Sequence, residues 1–220
     1  MKKKTIILLI IVILLTAIPS AALGTPEDHS PEDNASMMFE LGKLWAERPI
    51  GDGEIIASYK DFNVTKEEVE WKKEQAHLTG EKLGSTDLEI ANGFIIGQLL
   101  LEDAERLGLA STPEEVDEWL DSLKQAIAEE GERLEDIDAY CAGAGITVDE
   151  YFENLRQDLP DTIARGKLKN HFIENYYKET GIADEIKTRE DYDHALAAYD
   201  VYREELLQAH KDEIKYYKIS

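Results

Sequence analysis

The chain has few groups able to make or break a covalent bond, and their spacing argues against catalysis. Its single thiol, Cys141 in Ala139-Tyr-Cys-Ala-Gly-Ala-Gly145, falls on the apolar stripe of a short helical run with no histidine near it in sequence. A thiol so placed packs as a small hydrophobe rather than working as a thiolate. The five histidines never take the His-Glu-x-x-His spacing, and no glycine-rich phosphate loop follows a strand. Acidic side chains, 47 against 24 basic ones, are too numerous for any single pair to stand out as an acid–base couple. The densest set of hard ligands is Glu27, Asp28, His29, Glu32 and Asp33. It lies in a run without a large apolar residue, 25–36, which reads as a solvated acidic tether rather than a metal site. No catalytic residue, metal or cofactor is therefore expected.

What remains is surface chemistry. Trp71, Tyr151, Phe172, Tyr176, Tyr177, Tyr199 and Tyr202 are the aromatics from which an apolar, partly wet contact surface would be built. Phe94, Trp119 and Phe152 sit on helical stripes that demand core packing instead.

The elements that must position these aromatics announce themselves. Glu54 to Tyr59 reads as a strand followed by a turn at 61–63, the one clear β signal. Met37 to Trp45 has the spacing of a short helix. From Thr65 onward a Thr stands three residues before a Glu at Thr65, Thr86, Thr112 and Thr147, with Thr188-Arg-Glu-Asp191 as a fifth, weaker case. That is the capping box, in which hydroxyl and carboxylate satisfy orphan N–H groups reciprocally. Gly84, Gly108, Gly131, Gly145 and Gly181 stand where a left-handed residue ends a helix.

The faces of these helices differ. Leu88 to Leu107 is apolar nearly all round, the mark of a helix clasped by neighbours, whereas Val116, Trp119, Leu120, Leu123 and Ile127 make a single stripe. Val148 to Tyr177 is interrupted by Pro160, which predicts a kink or break near Leu159. Tyr192, Ala195, Tyr199, Tyr202, Leu206 and Ala209 form a seam suited to a long terminal helix that docks on the domain, extends from it, or swaps to a second copy as a homodimer.

At the other end, three lysines, the apolar run Ile6 to Leu15 and small residues up to Gly24 describe a secretory signal or an uncleaved anchor, 1–24. This would be the chain's one membrane contact. With its lysines set aside, the remainder carries a net charge of about −26. Such a surface repels nucleic acid and anionic lipid and attracts basic or unfolded partners. One cysteine leaves an exported fold to hold by its core alone. The organisation expected is therefore leader 1–24, tether 25–36, a mainly α domain 37–180 with one short N-terminal β element, and a C-terminal helix 181–220.

The order of signals resembles the N-terminal chaperone domain of SurA-like and PrsA-like exported foldases, related in architecture to the helical arms of trigger factor. The resemblance runs from "IIASYKDFNVTKEEVE" through "LLLEDAERLGL" and "STPEEVDEWL" to "AGITVDEYFENLRQDL". It implies a multi-helix fold that holds unfolded or newly secreted polypeptides in an apolar groove taking extended chains without sequence choice, the role it would give to Trp71, Tyr151, Phe172, Tyr176, Tyr177, Tyr199 and Tyr202. Members often carry a parvulin-type prolyl isomerase domain after the helices, whereas Lys178 to Ser220 reads here as one acidic helix, so isomerase chemistry is not expected. The Asn-Gly usual in the opening hairpin is replaced by Lys60-Asp61-Phe62-Asn63, which predicts a longer or differently bent turn. The alternatives are a non-catalytic adaptor or self-associating protein built on the same fold, and a degenerate prolyl isomerase.

Overall fold

A computed structural model describes residues 31–49, 51, 53–129, 132–182 and 188–217. Residues 1–24, expected as a leader, and 25–30, the first half of the expected tether, lie outside the described residues. The protein is mainly α-helical with a small sheet, as the patterning predicts. In chain order the elements are α1 (Pro31–Ala46), β1 (Ile55–Tyr59), β2 (Phe62–Thr65), α2 (Lys66–Thr79), α3 (Asp87–Arg106), α4 (Pro113–Glu129), α5 (Glu132–Ala144), α6 (Val148–Thr180), α7 (Arg189–Ala209) and β3 (Ile214–Tyr216).

All five threonine starts are realised; of the glycine stops, Gly131 lies outside the described residues. Thr65, Thr86, Thr147 and Thr188 each cap a helix, with the acid three residues on bonding back to the cap N–H. Thr112 and Glu115 exchange the same two bonds ahead of α4. Gly108, Gly145 and Gly181 take the left-handed φ expected after helices, but α2 ends at Gly80 rather than Gly84. Thr147→Ala should cost about 1 kcal/mol of stability in urea titrations, the usual worth of such a hydroxyl.

Cap bonding also sets a pH dependence. Bonds from Thr147 hold the Glu150 carboxyl below its usual range, and Thr188 does the same for Asp191. A carboxyl with a depressed folded pKa stabilises the fold above its unfolded pKa, and that contribution is lost as pH falls through the folded value. The helix starts are therefore sensitive to acid.

Three expectations need correction. Residues 31–36 are not tether but the opening of α1, because Pro31-Glu32-Asp33 is itself a helix-start pattern, proline at the first helical position followed by acids. Pro160 does not divide α6, which runs unbroken for 33 residues. Packing on both sides of Leu159, which is fully buried, holds the helix together across the missing N–H. The C-terminal helix ends at Ala209, and the chain then returns as β3 instead of continuing helical to Tyr217.

That return completes an antiparallel sheet of order β2-β1-β3, with Ala57 facing Tyr216 and Tyr59 facing Ile214. The terminal element thus folds back on its own chain. The hairpin turn is short, only Lys60 and Asp61, with Lys60 at φ 50. A lysine in that region is strained, and its ammonium is tied to Glu102 at 2.7 Å. Tyr59, fully buried, donates to the same carboxylate at 2.9 Å.

Helix α3 is the clasped centre that the sequence describes. Ile95, Leu99 and Ala104 are buried in a first cluster with the sheet, Ala164 and Leu168 of α6, and Tyr199 and Leu207 of α7. A second cluster joins α1, α4 and α5 to the first half of α6. A third, small one holds Ile173, Tyr177 and Ala195. α6 therefore threads all three.

Two ion pairs tie α4 to α6, Arg156 with Asp117 and Lys167 with Glu115, the latter at 2.9 Å. In the second cluster α1 and α5 cross backbone to backbone. A Cβ on Gly42 would overlap the carbonyl oxygen of Tyr140 and lie 2.8 Å from the Ala144 nitrogen. One on Gly143 would overlap the Phe39 carbonyl.

Candidate polypeptide-contact site

Antiparallel packing of α6 and α7 brings five of the seven proposed aromatics onto one line. Phe172 stacks at a tilt on Tyr202 with ring centroids 5.1 Å apart, and meets Tyr199 edge-on at 5.4 Å. Tyr199 and Tyr202 lie 5.8 Å apart, one turn along α7. Further along, Tyr176 and Tyr177 are 6.2 Å apart. The periodicity of both helices makes this line: residues three and four apart share a face, and two such faces meet.

The line is graded in exposure. Tyr177 and Tyr199 are buried, Phe172, Tyr176 and Tyr202 half-buried. Tyr192, in the first turn of α7, is exposed. Burial pushes the Tyr199 hydroxyl up to about 12. It also raises that of Tyr202, which donates to Asp103 of α3 and so pins the seam to the central helix.

Trp71 and Tyr151 do not belong to this seam. The Trp71 indole donates to the Leu44 carbonyl at 2.8 Å, with Arg48 stacked 5.7 Å from its ring, so it fastens α2 to the end of α1. Tyr151 is buried in the second cluster, edge-on to Tyr140 at 5.5 Å and Phe152 at 5.4 Å. Both follow their helical stripes inward, away from α7.

One group of exposed side chains escapes a reading of the sequence. Ile55, Leu88, Tyr216 and Tyr217 are all exposed. The Tyr216 hydroxyl bonds Asn92, one turn from Leu88, at 2.7 Å, and the Tyr217 amide bonds Ile56, next to Ile55, at 2.9 Å. Tyr216 is thus tied to α3, and Tyr217 to β1, where its hydroxyl also meets that of Ser58 at 3.1 Å. A signal for the return strand existed in Ile214-Lys-Tyr-Tyr-Lys-Ile219, a run of β-formers that reads as strand once the preceding helix is ended.

Shallow, open hollows mark the surface of the described residues. One of about 760 Å³ follows the outer side of α7 beside Asp200, Val201 and Arg203, and another, about 450 Å³, separates α1 from α2 around Leu44 and Leu78. Among the described residues no set of three or more His, Cys, Asp or Glu is placed to hold a metal ion, and no helix is long and apolar enough to cross a membrane.

Cys141 is buried on α5, where desolvation pushes its thiol up. It should react with a thiol reagent only as fast as the second cluster opens, and a rate matching free cysteine in the native protein would contradict its packing role.

No family model, no curated protein and no solved structure matches this chain.

Proposed function

We propose that the protein is an exported, non-catalytic chaperone-like protein that binds unfolded or newly secreted polypeptides. The reading rests above all on the α6–α7 seam, where Phe172, Tyr176 and Tyr202 are half-buried, Tyr199 is covered and Tyr192 is exposed. Rings with one wet edge accept apolar side chains without demanding a particular sequence. The excess of acid around them draws basic segments at long range, an attraction that salt weakens. Export follows from the leader-like residues 1–24.

The test is aggregation of a reduced or heat-unfolded protein followed by light scattering. Suppression is expected at equimolar ratios or below, diminished by Tyr176→Ser combined with Tyr192→Ser. Unchanged aggregation at several-fold excess of the native protein would refute the proposal.

The adaptor reading draws on a different feature, the exposed side chains of Ile55 on β1, Leu88 on α3, and Tyr216 and Tyr217 at the end of the chain's return strand. A folded partner or second copy seated there would protect Tyr216 and Tyr217 from modification while leaving unfolded clients unbound.

A further inference from the structure

One cation in the seam stands apart from the others. Arg106, Arg156, Arg189 and Arg203 each pair with an aspartate. Arg165, half-buried on α6, has no hydrogen-bond or ion-pair partner among the described residues. Asp161 and Asp158 on its own helix and the Tyr199 hydroxyl across on α7 reach it only through space. Its Nη1 lies against α3, 3.8 Å from where a side chain would begin on Gly97, and Gly93 one turn earlier faces open space. The guanidinium thus sits between three helices, partly stripped of water, with five donors and no acceptor among the described residues.

Such an arrangement is costly unless something else supplies the acceptor. Lys169, one turn along α6, and Arg203, across on α7, are two further cations of the same helix pair, close enough to act on one another. Asp200, held by Arg203 at 3.0 Å and also facing Lys169, offsets part of their charge. The oxygen pair that matches a planar guanidinium fork is a carboxylate.

We propose that Arg165 is an anchor for a carboxylate of the polypeptide bound along the α6–α7 seam. This rests on the polypeptide-binding reading and deepens it: clients are chosen at short range by an acid beside an apolar side chain, whatever the acidic exterior does at long range. An acidic side chain and a chain terminus present the same group.

Fluorescence anisotropy on the full protein separates the sources with three labelled versions of one short, unstructured apolar peptide. One has Gln at a central position and an amidated end, one has Glu there and an amidated end, and one has Gln with a free terminal carboxylate. At least one carboxylate peptide should bind about tenfold more tightly than the neutral one, and which of them does so names the source. Arg165→Gln should erase that preference while leaving the neutral peptide within about twofold of its native affinity. Arg165→Lys, which keeps the charge but not the fork, should retain part of it and decides the matter if the Gln variant fails to fold. Equal binding of all three peptides by the native protein, or a preference untouched by either substitution, overturns the carboxylate anchor and leaves polypeptide binding intact. Absence of binding by any peptide overturns both.

Discussion

Gly42→Ala should destabilise the protein by about 3 kcal/mol or more, at the top of the range for overpacking, because the obstacle is backbone rather than a side chain able to rotate away. Alanine is the better helix former, by about 1 kcal/mol over glycine in a helix interior, so propensity alone predicts the opposite sign. Contact decides the outcome. The new methyl would occupy the space of the Tyr140 carbonyl and press on the Ala144 nitrogen, and α1 would have to lift off α5. Lifting would open the side of the second cluster that holds Met38 and Leu41. Gly166 is the internal control: it is exposed in α6 with nothing near its absent Cβ, so Gly166→Ala should gain up to about 1 kcal/mol. Urea midpoints of the two variants, read by circular dichroism, should move in opposite directions. A Gly42→Ala protein as stable as the parent would mean that the helices do not cross so closely.

Removing a single charge should have a comparable effect at the end of α2. Lys72 and Glu81 pair at 2.9 Å with only 14% and 9% of their side chains exposed, and Lys72 also donates to Gln75 at 3.0 Å. The pair bridges the middle of α2 to the residue after its Gly80 cap, whose φ of 69 reverses the chain. Glu81→Gln keeps the shape but leaves the ammonium buried without its counter-charge, a loss of about 3 kcal/mol by analogy with other broken buried pairs. Replacing both residues, Lys72→Met with Glu81→Leu, should recover most of that loss, because two desolvated charges then disappear together.

The pH dependence distinguishes this explanation from a general loosening. Burial lowers the Lys72 pKa from 10.5, with Glu81 opposing the shift. Between the folded value and 10.5 the unfolded chain holds a proton that the folded chain has released, so stability rises with pH across that interval. Without Glu81 the folded value drops further, and the rise should begin at lower pH in Glu81→Gln than in the parent. A pH profile parallel to the parent's would refute the buried pair as the cause.

These two sites also mark what a sequence can and cannot disclose. The local grammar was legible residue by residue: five threonine caps and three of the glycine stops stand where the spacing put them, because each depends on neighbours three or four positions away. The clasped character of α3 was equally plain from its apolar circumference. Long-range facts were not. Nothing around Gly42 names Gly143 as the residue facing its helix, and β3 was hidden because a helical seam through Leu206 extrapolates naturally past Ala209. Pro160 misled in the opposite direction, since its local cost is real but is outweighed by the packing of Leu159 and Leu168 on either side. Of the aromatic candidates, the five on α6 and α7 share a seam because the two helices run antiparallel. Trp71 and Tyr151 were grouped with them by residue type alone, and type says nothing about which neighbour a ring will meet.

The pairing of β1 with β3 has a kinetic corollary. Ser58 and Tyr217, whose hydroxyls touch at 3.1 Å, are separated by 159 positions. A chain emerging in order, from a ribosome or through a pore, therefore displays β1 with one rim open until nearly everything described here has been delivered. Closing so large a loop is slow compared with winding the intervening helices. The first segment to take shape waits for the last, and in that interval the newborn protein offers the same kind of unsatisfied strand that makes other nascent chains prone to mispairing.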